Sequence, residues 1–196
     1  SRRVMELIYH MSQTIDDFRN FFKPDKTASI FHAFISVADV LSLSVSQLNN
    51  NDIGLELRVN GERSDDWSSK EDDIDWDKIK GFPNEFKHVV LSLFQNAKDA
   101  LIEAEDVVDK RIVVDVSEDG DFVSVAVHDN AGGIPEGVAE RIFEPYFTTK
   151  EEGKGVGIGL YMSKIIIENN MGGHLNFENK DDGALFTVIM NKSSMF

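Results

Sequence analysis

The chain has 196 residues, 41% of them hydrophobic, enough for a packed core in one large domain or in a domain with an appendage. A formal net charge of -15 argues against a nucleic-acid backbone or an anionic membrane as the partner, because like charge repels at every approach. The absence of cysteine excludes a disulfide framework and a thiolate metal site and suits a reducing cytoplasm, and no apolar run approaches the ~20 residues of a membrane span.

The opening residues, Ser1 to Ile8, have neither an initiator Met nor a signal-peptide layout and read as the start of a fragment, with any membrane anchor upstream. Val4, Leu7, Ile8, Met11, Ile15, Phe18 and Phe22 recur at three- and four-residue spacing, which predicts an amphipathic helix over 3–22, closed by Pro24. Its apolar stripe calls for a second helix to pack against, such as one from another copy of the chain. His10 on that helix is either an ordinary surface or interface histidine or a phosphorylated one. The second role wants a neighbouring acid or amide to manage the proton, and Met11 follows instead.

A second helix is predicted over 26–50, with Ile30, Phe34, Val37, Val40 and Leu41 on one face and turn chemistry at Asn49 to Asp52. Ile53 to Val59 alternates as a strand does. Residues 61–77 then carry eight acidic side chains against two basic ones. Lacking the fixed glycine and closing glutamate of an EF-hand loop, this stretch reads as a solvated loop, pinned by Trp67 and Trp76, ahead of a calcium site. Pro83 to Ala104 reads as a third helix, burying Phe86, Val89, Val90, Leu93, Phe94, Ala97, Ala100 and Leu101, with Asn96, Lys98 and Asp99 as polar interruptions.

Two strands, 111–116 and 122–127, follow, joined through Glu118-Asp119-Gly120, and Asp129 sits just past the second. A last helix is predicted from about Val156 to Glu168, stopped by Asn169 to Gly173, before strands at 174–178 and 184–190. Strands that arrive in hairpins with helices between them point to a mixed sheet covered by helices on one face. The alternating glycines of Gly153 to Gly159, just ahead of a helix, let backbone N–H groups approach a bulky anion, so a phosphate site is the first expectation, with a simple loop as the bland alternative. The run is no Walker A loop, because Gly155 follows Lys154, and no dinucleotide fingerprint, because the third glycine is missing.

Leu93 to Leu101, Asp129 to Ile134, Ile142 to Lys150, Gly153 to Leu160 and Gly183 to Phe186 stand in the order and spacing of the N box, first glycine box, F box, second glycine box and a reduced third glycine box. On these residues the chain resembles the catalytic and ATP-binding domain of sensor histidine kinases, within the GHKL group, over roughly residues 80–190. The resemblance implies an α+β fold, a two-layer α/β sandwich of the Bergerat type preceded by an N-terminal helix. It also implies ATP and Mg²⁺ as ligands and a site made of Asn96, Asp99, Ala100, Asp129, Ala131, Gly133, Ile134, Thr148, Thr149, Lys150, Lys154, Gly155, Val156, Gly157, Ile158, Gly159, Leu160 and Thr187.

Within that resemblance Asp129 accepts a hydrogen bond from the adenine amino group, where guanine offers a carbonyl. Asn96 is the Mg²⁺ ligand, a neutral oxygen for an ion that keeps several waters. Lys150 and Lys154 are phosphate counter-charges or exposed lysines of a lid spanning 134–154, whose Phe143, Tyr146 and Phe147 latch it to the body or to dimerisation helices. Asp99, where other branches carry a basic residue, binds a water or the lid. Thr187 supplies a hydroxyl near Ala184, and Ala131 replaces the first glycine of its box. One turn before Asn96, ATP-hydrolysing members of the group carry a water-activating glutamate and this chain has Ser92, so transfer to a positioned acceptor is expected over hydrolysis.

Met11 to Phe22 resembles the second helix of the dimerisation and phosphoacceptor hairpin. The implied organisation is therefore a partial hairpin helix at 1–23 and the ATP-binding domain at 24–196. The expected acceptor is a histidine outside the chain, and the expected partners are a response-regulator receiver domain and, in the full-length protein, a second copy. A cytoplasmic fragment is expected, without nucleic acid or direct membrane contact. A serine kinase of the same group and a non-catalytic nucleotide sensor are the alternatives.

Overall fold

The helix at Pro83–Glu103 is the element on which the other layers are stacked. The computed structural model describes residues 27–49, 51–64, 76–150 and 155–193; the expected helix over 3–22, and with it the domain boundary at 23, lies outside them. In chain order the elements are β1 (Ser29–His32), α1 (Ala33–Asn49), β2 (Gly54–Val59), β3 (Glu62–Arg63), β4 (Lys78–Gly81), α2 (Pro83–Glu103), β5 (Arg111–Asp119), β6 (Phe122–Asp129), α3 (Glu136–Ala139), α4 (Gly159–Ile165, continued by a π-turn at Ile166–Asn170), β7 (His174–Lys180) and β8 (Gly183–Asn191).

Six strands form one mixed sheet in the order β3-β2-β5-β6-β8-β7. The β2–β5 pair is parallel and the other neighbours are antiparallel. Directly paired residues share a face, and one face is apolar throughout: Ile112, Val114 and Val116 of β5, Val123, Val125 and Val127 of β6, Phe186 and Val188 of β8, and Leu175 of β7 are all buried. Against it α2 lays Phe86, Val89, Val90, Leu93, Phe94, Ala97 and Leu101, with α1 and α4 packed beside it. At ~25 cal/mol per Å² of apolar surface, this one-sided burial is the main force holding the two layers together. The expected α+β sandwich, helices on one face of a mixed sheet, is the observed one.

The differences are local. Residues 29–32 are a strand, not the first turn of the second helix, because they pair antiparallel with Lys78–Gly81 in a separate two-stranded sheet, and Phe31 packs edge-on against Phe86 with ring centroids 5.4 Å apart. The pairing of β1 with β4, absent from any local pattern, overrides the helical spacing. The last helix begins at Gly159, since Gly157 adopts φ 69°, a left-handed conformation that no α-helix contains. The short α3 interrupts the stretch read as a lid. Among the described residues no helix is long and apolar enough to cross a membrane.

Candidate nucleotide site

Along α2 the side chains of Asn96, Ala97, Ala100 and Glu103 fall at i, i+1, i+4 and i+7, one stripe facing away from the deepest packing. They form one wall of a cavity of about 600 Å³, whose other walls come from the end of β6, the segment 147–150, the glycine run 155–160 and the start of β8. Small side chains at Ala97 and Ala100 leave this wall open over its middle, with polar ends at Asn96 and Glu103. The Asn96 amide makes no hydrogen bond among the described residues.

Asp129 closes the floor. It pairs across the sheet with Ile112, so the strand's alternation sends its carboxyl to the covered face, where it is 4% exposed. Oδ1 accepts the N–H groups of Ala131, at 2.9 Å, and Ala184, at 3.4 Å, while Oδ2 has no partner among the described residues. Burial pushes this carboxyl above its ordinary range; the two N–H groups and His128 pull it back, and Asp182 adds to the rise. The loop after it is pinned from two sides. The Asn179 side chain accepts the Ile134 N–H at 2.8 Å and donates to the Ile134 carbonyl at 2.7 Å, and the Gly132 N–H reaches the Asp182 carbonyl at 2.8 Å. Asn130 ties the same corner to the α2–β5 connection through the Arg111 N–H and the Asp109 carbonyl. Gly183 is obligatory here, because a Cβ at that position would overlap the Asp129 carbonyl oxygen.

The opposite wall is aromatic at its root. Phe143 packs edge-on against Phe186, centroids 6.5 Å apart, under the Lys164 ammonium at 4.7 Å, and Phe147 carries the Arg141 guanidinium at 4.4 Å. Of the two latch surfaces expected for this trio, Phe143 uses the body, whereas Tyr146 is 73% exposed. Gly157 crosses directly over this segment: a Cβ there would stand 2.5 Å from the Phe147 carbonyl oxygen. The glycines thus serve close backbone packing as well as the approach of an anion.

Of the residues expected at the site, Asn96, Ala100, Asp129, Ala131, Gly133, Ile134, Thr148, Thr149, Lys150, Gly155, Val156, Gly157, Ile158, Gly159 and Leu160 line this one cavity. Lys154 lies outside the described residues. Asp99 stands beside the cavity and reaches it through Lys150, whose Nζ donates to Oδ2 at 2.5 Å. Thr187 does not belong: it pairs with Ala126 and Asn176, between the inward Phe186 and Val188, so its hydroxyl is on the uncovered face of the sheet. Ser92 does not line the cavity either and lies against the start of α4, where a Cβ on Gly159 would meet its Oγ at 2.9 Å. Ala97, Glu103, Pro135, Val138, Ile142, Phe147, Met162, Ala184 and Phe186 complete the lining. The helical stripe through Asn96 and Ala100 points to Glu103, and Ala97, Ile142, Phe147, Ala184 and Phe186 lie within the boxes; Pro135, Val138 and Met162 come from tertiary packing.

A two-layer sandwich with a buried, half-satisfied carboxylate on its floor and glycine-framed backbone at its mouth defines a small-molecule-binding domain of the nucleotide-binding kind. Residues 81–194 match the family described as histidine kinase-, DNA gyrase B- and HSP90-like ATPase, and the chain belongs to that family. It is 41% identical over 112 residues to the two-component sensor PprA of Pseudomonas aeruginosa, covering 56% of this chain and 12% of that protein. With sporulation kinase A of Bacillus subtilis the identity is 36% over 114 residues, covering 58% of this chain and 18% of that protein. The chain therefore spans less than a fifth of the length of either relative. Among solved structures, the nucleotide-free catalytic domain of histidine kinase ThkA superposes with a TM-score of 0.69 at 25% identity, covering 85% of this chain and 96% of that one. A complex of ThkA with the response regulator TrrA has the same fold, with a TM-score of 0.69 at 20% identity over 97% of this chain and 49% of that one.

Proposed function

We propose that this chain is the catalytic, ATP-binding part of a two-component sensor histidine kinase. In the whole protein, the γ-phosphoryl group of ATP passes to a histidine outside the chain and from there to an aspartate of a response regulator. The observation that carries this is the pairing, in one cavity, of two unsatisfied groups that suit the two ends of Mg-ATP: Asp129 Oδ2 on the floor and the Asn96 amide on α2. Asp129 accepts the adenine amino group and rejects the guanine carbonyl. Asn96 would hold Mg²⁺ through its neutral amide oxygen, and the ion would supply charge neutralisation at the phosphates. Backbone N–H groups of Gly155 to Gly159, with Lys150 and Lys154, hold the phosphates, so the domain contributes positioning and charge and little covalent chemistry. Ser92, against the start of α4, is a neutral hydroxyl and a poor base for activating water, which favours transfer over hydrolysis. The resemblance of Met11 to Phe22 to the second helix of the dimerisation and phosphoacceptor hairpin supports pairing with a second copy in the whole protein. Similarity to sensor kinases and to a regulator-bound ThkA supports the regulator as partner.

The test is phosphate incorporation from labelled ATP in the protein extended upstream to include the whole hairpin. Acid-labile, alkali-stable label that disappears in Asn96→Ala is expected. Acid-stable label on a hydroxyl, or none at all while nucleotide still binds, sinks the histidine kinase reading.

A further inference from the structure

We infer that Asp99 is a positioning residue for this site, holding Lys150 over the phosphate end of the cavity; the inference rests on the ATP-site reading above. Asp99 lies three residues beyond Asn96 on α2, less than one turn, so the two are neighbours on the helix, Asn96 in the cavity wall and Asp99 beside it. Its Oδ2 accepts a hydrogen bond from Lys150 Nζ at 2.5 Å, with both side chains partly shielded, at 37% and 26% exposure. Lys150 itself lines the cavity. Its backbone is also fixed, since its N–H donates to Thr148 Oγ1 at 3.1 Å. The glycine run lies against it, and a Cβ on Gly155 would stand 3.3 Å from Lys150 Cδ. Residues 148 and 155 thus confine the backbone and stem of Lys150, and Asp99, from a distant helix, holds its ammonium.

The charge arithmetic favours positioning. An ammonium has three N–H donors, and one spent on Asp99 leaves two for phosphate oxygens. A free lysine carries about 2 kcal/mol of rotamer entropy, most of it already lost in the pair before a ligand arrives. An exposed ion pair by itself stabilises the fold by only about 0–1 kcal/mol, so stability alone gives little reason for an acid at this place in a site for a polyanion. The opposite arrangement, in which Asp99 competes with phosphate for the lysine, makes a prediction of opposite sign.

Calorimetry with adenosine and with ADP, both without Mg²⁺ so that the nearby metal site is not involved, separates these cases in the wild type, Asp99→Asn, Lys150→Gln and the double variant. Adenosine affinity should stay unchanged in all four, which also shows that the variants fold. ADP affinity should fall about threefold in Asp99→Asn and about tenfold or more in Lys150→Gln, where an unpaired carboxylate faces the phosphates. The double variant should recover part of the Lys150→Gln loss. ADP binding by Asp99→Asn equal to or tighter than wild type overturns the positioning role alone. A wild-type chain that binds neither adenosine nor ADP overturns the nucleotide-site reading together with it.

Discussion

In the role proposed for it, Asp129 works as an ionised acceptor in a place that disfavours ionisation. The desolvation that raises its pKa makes the charged form costly in the free domain, a cost that an adenine amino group donating to Oδ2 would relieve on the proposed reading. The signs for folding and binding are opposite. Because the folded-state pKa lies above the unfolded one, the ionised group detracts from stability at neutral pH, and that cost vanishes as pH falls through the raised value. Adenosine affinity should fall over the same interval, at higher pH than an ordinary aspartate would dictate, since the protonated acid no longer offers a pure acceptor. Asp129→Asn should bind more weakly at neutral pH and lose the pH dependence; a titration profile shared by the variant and the wild type would remove Asp129 from the base-reading role. Its place was legible in the sequence through the resemblance of Asp129 to Ile134 to a glycine box, although the strand runs further than expected and includes it. Thr187 was misread for want of register: one residue along β8 reverses the face, and only the pairing with Ala126 shows which face that is.

At the scale of elements, α2 was legible almost to its ends, because Pro83 presets its first turn and seven apolar side chains repeat at helical spacing. The β1–β4 sheet was not, because both strands are four residues long and take their order from each other. What secures this small sheet is Asp77, which is fully buried. One oxygen accepts from His32 Nδ1 at 2.6 Å and the other from the Phe34 N–H at 2.6 Å, so a single carboxylate ties the end of β1 to the first turn of α1. From sequence it was only the last of eight acids in a solvated run. Asp77→Ala removes both bonds and strands a buried N–H, and should cost about 3 kcal/mol, read as a lower denaturant midpoint at unchanged slope. Asp75→Ala or a like change in the preceding acidic stretch is the comparison: equal losses from both would mean that charge number, and not the buried tether, sets stability.

For the whole molecule, the charge that excluded a polyanionic surface as partner has to be reconciled with a polyanionic small molecule as ligand. A net charge of -15 surrounds a site whose described cation is Lys150, with Lys154 beyond the described residues. The long-range field and the local contact therefore oppose each other, and they decay over different distances. Raising ionic strength from about 10 mM to about 150 mM shortens the screening length from roughly 30 Å to roughly 8 Å, which removes most of the repulsion met by an approaching nucleotide but little of a contact made at hydrogen-bond distance. The association rate of ATP should consequently rise with salt over this range, by several-fold, the reverse of what a basic nucleotide-binding surface shows. Dissociation should change less, and adenosine, which is uncharged, should associate at a constant rate. Stopped-flow measurements with a fluorescent ATP analogue and a matched nucleoside check this. An ATP association rate that falls with added salt would mean that local cations at the mouth of the site dominate the field, and that the acidic character of the chain is directed elsewhere.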